Sequence, residues 1–148
     1  MSIIYEDETW SVRAISAEGA PLLVRTRCKL PPEDQRARYA SLVLISWPLQ
    51  IGDNGTPNRE DERATIYFED ALEAAIEQRD LGVLVVALAS DAGREWRYYT
   101  DDTERFLDAM NAGLQGHTEY PLDIALYDDP AWGGLSEFVA AEEQPDKN

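Results

Sequence analysis

The spacing of hydrophobic positions predicts strands in the first third of the chain. Residues 10–15 alternate between apolar and polar side chains, and residues 22–28 form a second short strand candidate after a turn, so the two are expected to pair as a hairpin. Pro31 and Pro32 then break the chain. Residues 39–47 are apolar at consecutive positions, which is typical of a strand buried on both faces.

Helical spacing appears in the second part of the chain. Ala64, Phe68 and Leu72 recur at four-residue intervals and form the apolar face of one helix, and Phe106 and Met110 do the same in another. Short apolar runs between turn formers predict further strands. The predicted elements, in order, are a helix at residues 60–79, strands at 83–89 and 94–100, a helix at 103–114, a strand at 121–127 and a short helix that starts near residue 130.

The order of elements from residue 39 onward is strand, helix, strand, strand, helix, strand, which is that of the ferredoxin-like split unit. Its central strands would be residues 39–47 and 94–100. We therefore predict an α+β fold, a ferredoxin-like β-α-β-β-α-β sandwich with an added N-terminal β-hairpin and a short C-terminal helix. The 148 residues fit one domain. Its parts are a hairpin extension at residues 1–38, a core at 39–141 and a polar tail at 142–148.

Negative charge is concentrated beyond residue 57. Residues 58–148 contain 22 acidic and 7 basic side chains, whereas residues 1–57 contain 7 and 6, so the second segment carries −15 of the net charge of −16. This charge argues against nucleic acid and anionic membrane as ligands. It leaves basic proteins, cationic small molecules and divalent metals as candidates.

Cysteine and histidine are too scarce for several kinds of site. Cys28 and His117 are the only residues of their types, so one chain cannot form an internal disulfide or a Cys/His zinc site. The N-terminus lacks the basic start and apolar run of a signal peptide, and no apolar stretch is long enough to span a bilayer, so we expect a cytoplasmic protein. There is no phosphate-binding glycine loop or nucleophile elbow, and we expect no cofactor and no catalytic residue.

The helix predicted at residues 60–79 carries acidic side chains on or near one side, at Glu62, Glu69, Glu73 and Glu77. Like charges four residues apart destabilise a helix by about 0.2–0.5 kcal/mol per pair. Two interpretations stay open. The stripe is either a solvated helix face or a surface that receives a basic partner or a divalent ion.

Two pairs of aspartates follow predicted strands, Asp101 with Asp102 and Asp128 with Asp129. Paired carboxylates can hold Mg²⁺ or act as acid and base. Each pair also precedes a helical segment, where aspartate accepts hydrogen bonds from free backbone N–H groups. The pairs therefore indicate either helix caps or the metal site of a hydrolase.

Aromatic and charged residues are densest at residues 94–99. On a strand, Trp96 shares one face with Tyr98, while Tyr99 shares the other with Arg97. One face must pack under the helices. The other is open in a bare ferredoxin-like sheet and is expected either to form a recognition surface or to pack under the N-terminal hairpin.

Residues 93–101, with the sequence GREWRYYTD, resemble a signature of the bacterial domain of unknown function family 695. The shorter pieces that agree with the same family are residues 54–57, 68–70, 120–122 and 128–132, and Phe138. The resemblance implies no activity, because the family has none assigned. The family is also similar in layout to the ribonuclease E inhibitor B family, small acidic proteins that act by binding an enzyme.

We therefore expect a non-catalytic protein-binding or regulatory module whose acidic surface meets a protein partner with a basic surface. Self-association as a homodimer, through a sheet edge or through the open face of the sheet, is a further alternative. Two alternatives stay open, a metal-dependent hydrolase that uses the paired aspartates and an immunity-type protein against a basic toxin. The residues expected at the binding surface are Glu62, Glu69, Glu73, Glu77, Arg94, Trp96, Tyr99 and Trp132.

Overall fold

Strands and helices both contribute to the structure, a computed structural model that describes residues 10–17, 20–27, 30–48, 59–79, 81–90, 93–116 and 122–136. The strands of the described residues are β1 (Trp10–Ala17), β2 (Ala20–Arg27), β3 (Ser41–Pro48), β4 (Val83–Ser90), β5 (Gly93–Thr100) and β6 (Asp123–Asp128). The helices are α1 (Glu33–Arg38), α2 (Arg59–Ala75), a 3-10 helix (Glu77–Arg79) and α3 (Thr103–Gly113). The fold is therefore α+β, as predicted.

The six described strands form one sheet in the order β1-β2-β4-β5-β3-β6, and every neighbouring pair is antiparallel. The strands predicted to be central, β3 and β5, are each hydrogen-bonded on both sides. The predicted N-terminal hairpin is confirmed as β1 and β2. It pairs with β4 and so extends the sheet, instead of packing over one of its faces.

Helices α2 and α3 pack on one face of this sheet. The core there contains Phe68 and Leu72 of α2, Phe106 of α3, and Trp96 and Tyr98 of β5. Phe68 meets Trp96 edge-on at 5.0 Å between ring centroids, and Tyr98 meets Phe106 in the same way at 5.3 Å. Alternation along β5 places Trp96 and Tyr98, two of its three aromatic side chains, on this face, so both α2 and α3 pack against this strand.

A second apolar cluster covers the middle of the opposite face. It contains Leu42 of β3, Tyr99 of β5, and Trp132 and Leu135 from the segment that follows β6. The Tyr99 and Trp132 rings are stacked, with centroids 3.9 Å apart and planes 5° apart. The face expected to be open in a bare sheet is therefore closed at this point by the chain beyond β6.

Two stretches differ from the sequence-based prediction. Helix α1 begins directly after the two prolines, which do more than break the chain, because the Pro32 carbonyl accepts from Gln35 N and Arg36 N. The helix predicted to run to residue 79 ends at Ala75, and a short 3-10 helix follows at Glu77–Arg79, as is common at the end of an α-helix.

The C-terminal helix is described only as one turn at residues 133–136, and the predicted tail at 142–148 lies outside the described residues. No helix of the described part is long and apolar enough to cross a membrane.

Candidate binding site

Helix α2 and the N-terminal hairpin face each other across a groove. Alternation along β2 points Arg25 and Arg27 to the side of the sheet that carries α2, and Trp10 of β1 lies directly opposite Arg27 in the register. Glu69 and Glu73, four residues apart on α2, lie on the facing side of the groove. Helix and hairpin therefore bring residues from distant parts of the sequence together.

These side chains line a cavity of about 290 Å³, here called the α2 cavity. Its charged lining consists of two arginines and four carboxylates, and Trp10, Leu84 and Tyr98 complete the wall. The carboxylates are Glu69, Asp70, Glu73 and Glu77. The cavity lies at the lower end of the size range of small-molecule sites, so it fits a side chain or a small ligand.

Two of the predicted surface glutamates are partnered by the hairpin arginines. Arg25 Nη2 lies 3.2 Å from Glu69 Oε2, and Arg27 Nη2 lies 3.7 Å from Glu77 Oε2. Glu69 also accepts a 2.8 Å hydrogen bond from Trp96 Nε1 at its other oxygen. The negative charge of the expected acidic stripe is therefore partly neutralised by arginines of the same chain.

Trp10 contributes an aromatic wall beside these arginines. The guanidinium carbon of Arg27 lies 4.0 Å from the Trp10 ring centroid, and that of Arg25 lies 5.4 Å away. Both distances are within the range of cation–π attraction. Arg27 is 3% exposed and donates from Nε to the Leu84 carbonyl at 3.1 Å. The ring and the carbonyl thus hold Arg27 in one orientation.

The hydroxyl of Tyr98 is the most unusual group of the α2 cavity. The side chain is fully buried, and its oxygen has no hydrogen-bond partner among the described residues. Burial raises the pKa of Tyr98 well above its ordinary value, and the charges of Glu77, Glu69 and Glu73 raise it further, against the opposing charge of Arg25. The hydroxyl therefore stays protonated, and leaving such a group unpaired costs about 1–3 kcal/mol.

A second cavity, of about 210 Å³, continues along the same side of α2 and shares Arg25 and Glu69 with the first. Leu23 of β2 and Ile66 of α2 line it and are 48% and 62% exposed. Val12 lies opposite Arg25 on the same face of the hairpin and is 61% exposed. We call the two cavities with these three apolar side chains the α2 groove.

The predicted surface residues fall into separate places. Glu69, Glu73 and Glu77 line the α2 cavity, and Arg94 lines the neighbouring cavity while its Nη1 donates to the Ser90 carbonyl at 2.8 Å. The Glu62 side chain lies outside the described residues. The three aromatic side chains predicted at the binding surface are buried in the two cores, and one of them, Trp96, also lines the second cavity. They are Trp96, Tyr99 and Trp132.

The segments that carried the family resemblance meet on the opposite side of the sheet. Tyr99 donates from its hydroxyl to Asp129 Oδ2 at 2.7 Å, and the backbone N–H groups of Gly133 and Gly134 donate to the same carboxylate at 2.9 and 3.0 Å. Arg97 Nη1 donates to the Gly134 carbonyl at 2.7 Å. This network covers the apolar cluster around Trp132. It also occupies the Asp129 carboxylate with three donors, so few of its acceptor positions remain for a reaction.

Burial alone would raise the pKa of Asp129, but the net direction is downward. The hydrogen bonds from Tyr99, Gly134 and Gly133, followed by the charge of Arg97, favour the ionised carboxylate and outweigh the burial. Asp129 is therefore an acceptor that stabilises the turn after β6.

The aspartate pairs are not assembled into a metal site. Asp102 caps α3 by accepting from Arg105 N at 3.1 Å, and Asp129 is bound by the network around Tyr99. Within the ranges that the structure describes, no group of three or more histidine, cysteine, aspartate or glutamate side chains could hold a metal ion. For Asp102 and Asp129 the capping interpretation is the one that the geometry supports.

Six residues that line the α2 cavity are missing from the predicted binding surface: Trp10, Arg25, Arg27, Asp70, Leu84 and Tyr98. One signal in the sequence does indicate two of them. Arg25 and Arg27 are two residues apart in a predicted strand, and so share a face, in a chain with few basic residues. No sequence signal places them beside α2, because this depends on the pairing of β2 with β4.

A family model described as "Family of unknown function (DUF695)" matches residues 8–139. The match covers both the α2 groove and the network around Tyr99 and Asp129. No curated protein and no solved structure matches the chain.

Proposed function

Because this chain belongs to the DUF695 family, for which no activity is known, we propose its function from the geometry of the α2 groove. The protein is a non-catalytic protein-binding or regulatory module, and the groove takes up a basic segment of a partner protein. The supporting observation is the combination, in one groove, of acidic side chains with exposed apolar ones.

Each half of this combination has its own role in binding. Glu73 and Asp70 are exposed and lie beside the two arginine–glutamate pairs, so the α2 cavity has an excess of negative charge. Complementary charge speeds the encounter with a basic partner and rejects acidic ones. The apolar side chains of Val12, Leu23 and Ile66 provide area whose burial stabilises the complex.

The test is capture of a partner from lysate by the full-length protein at low and at high salt, with two charge-reversal variants. Glu73→Arg reverses a charge in the α2 cavity, and Asp108→Arg makes the same change at an exposed position of α3. We expect a basic partner that is retained at low salt, released at high salt, lost with Glu73→Arg and kept with Asp108→Arg. Equal capture by both variants, or no salt-dependent partner, would contradict the proposal.

We further propose that β3 to β6 with α2 and α3 form a ferredoxin-like unit. The strand order β6-β3-β5-β4, read from one edge of the sheet, supports this assignment, since it is the order expected when two β-α-β units interleave. Five expectations from the sequence stay predictions. They are the cytoplasmic location, the single domain, the homodimer, the immunity-type role against a basic toxin, and the layout shared with the ribonuclease E inhibitor B family.

A further inference from the structure

Tyr98 lines the α2 cavity, and its buried hydroxyl oxygen has no hydrogen-bond partner among the described residues. A phenylalanine would fill the same apolar space beside Phe106 without leaving a polar atom unpaired. The hydroxyl therefore costs stability in the ligand-free protein. A ligand that enters the cavity and hydrogen-bonds to this oxygen removes that cost.

The charge of the lining selects the sign of the ligand. Arg25 and Arg27 face the cavity and repel a cation, but each is paired with a glutamate. Glu73 and Asp70 add two negative charges that these pairs do not balance. A cationic group is therefore favoured over an anionic or a neutral one.

The arrangement of acceptors favours a planar cation. Tyr98, Glu73 and Glu77 all line the same cavity, and a guanidinium has five N–H donors in a fixed fork that can meet several acceptors at once. It is also more weakly hydrated than an ammonium group, so it loses less on entering a partly closed cavity. The apolar walls at Trp10 and Leu84 suit the methylene groups that carry it.

We propose that the α2 cavity is the binding site for a single guanidinium group, the side chain of an arginine in the partner segment. This assignment rests on the proposed function, because it names the side chain that the groove recognises.

The experiment is an NMR titration of the full-length ¹⁵N-labelled protein with N-acetyl-arginine amide. N-acetyl-citrulline amide, which has nearly the same shape without the charge, and N-acetyl-lysine amide are the comparison probes. The indole N–H of Trp96 reports directly on the cavity wall, because it donates to Glu69. We expect the arginine probe to shift the Trp10 and Trp96 indole signals saturably, the lysine probe to bind more weakly and the citrulline probe to leave them unchanged.

Two substitutions test the acceptors. Tyr98→Phe should weaken binding of the arginine probe about tenfold, as expected for one lost hydrogen bond to a charged group. Glu73→Gln, at an exposed position, should weaken it without affecting folding. The matched control is Tyr127→Phe, which removes a hydroxyl from an exposed tyrosine of β6.

The outcomes separate this inference from the proposed function. Equal shifts with arginine and citrulline probes, equal affinity for arginine and lysine probes, or unchanged binding in Tyr98→Phe would overturn the guanidinium site. If a basic partner is nevertheless captured and lost with Glu73→Arg, the proposed function stands alone. If the arginine probe binds as expected and no partner is captured, the cavity is a guanidinium site and the proposed function fails.

Discussion

The hydroxyl of Tyr99 lies 2.7 Å from Asp129 Oδ2, and this contact joins β5 to the segment that follows β6. Its neighbour in the sequence, Tyr98, points to the opposite face of the sheet and lines the α2 cavity, and its buried hydroxyl has no hydrogen-bond partner among the described residues. Two adjacent tyrosines thus have opposite energetic roles. One hydroxyl stabilises the fold, and the other destabilises it.

Removing the stabilising hydroxyl should be costly. Tyr99→Phe deletes a hydrogen bond to an ionised carboxylate and leaves Asp129 with only its backbone donors. We expect the free energy of unfolding to fall by about 1.5–3 kcal/mol, measured by urea denaturation. Tyr127→Phe, at an exposed tyrosine, is the control and should change it by less than about 0.5 kcal/mol.

Removing the unpaired hydroxyl should have the opposite sign. Tyr98→Phe eliminates a buried polar group with no partner among the described residues and keeps the ring that packs on Phe106. We expect the free energy of unfolding to rise by about 1 kcal/mol, the lower end of the cost of such a group. Destabilisation in the same urea experiment would show that the hydroxyl already has a partner.

The lowered pKa of Asp129 predicts a specific loss of stability in acid. Because the pKa is lower in the folded state than in the unfolded state, the stabilisation is fully present above the ordinary aspartate pKa of about 4. It is lost as the pH falls through the folded-state pKa, when the carboxylate takes up a proton. Asp129→Asn should remove this component, so the difference in stability between wild type and variant should shrink below about pH 4. A difference that stays constant from pH 7 to pH 2 contradicts the assignment.

Two adjacent glycines give a matched test of the turn after β6. A Cβ atom at Gly134 would lie 2.9 Å from both the Tyr99 hydroxyl and Leu42 Cδ2, whereas one at Gly133 would lie 3.5 Å from Asp129 Oδ1 in ordinary contact. We expect Gly134→Ala to lower the free energy of unfolding by about 1–3 kcal/mol, the typical cost of overpacking, and Gly133→Ala to have a much smaller effect. Equal values for the two variants would show that Gly134 is not held close to Tyr99.

Much of the fold follows from local spacing in the sequence. Consecutive apolar positions in β3 predict its central place, and the four-residue recurrence of Phe68 and Leu72 predicts the buried face of α2. Helix α1 is not predicted, because a proline pair is compatible with both a break and a helix start. Its stability depends on the carbonyl of Pro32 and on charges placed favourably at its two ends, Glu33 and Asp34 at the first turn and Arg36 and Arg38 at the last.

The candidate site is predicted only in part, for a physical reason. The acidic side chains of α2 are visible in its helical spacing, but the arginines that neutralise Glu69 and Glu77 come from a strand more than 40 residues earlier. The pairing of β2 with β4 that brings them there is a long-range contact, which local patterns do not encode. The same limit applies to Trp132, whose burial requires the segment beyond β6 to fold back onto Tyr99.

The α2 cavity has one wall on the N-terminal hairpin and the other on α2, so it exists only while β2 is paired with β4. Any molecule that fills it holds the two walls together and makes detachment of the hairpin less favourable. Occupancy and hairpin attachment are consequently linked in both directions. A substitution that weakens the pairing of β2 with β4 will lower the affinity of the cavity for its ligand, even where the substituted residue does not touch the ligand. Ligand binding will in turn slow amide hydrogen exchange between β2 and β4.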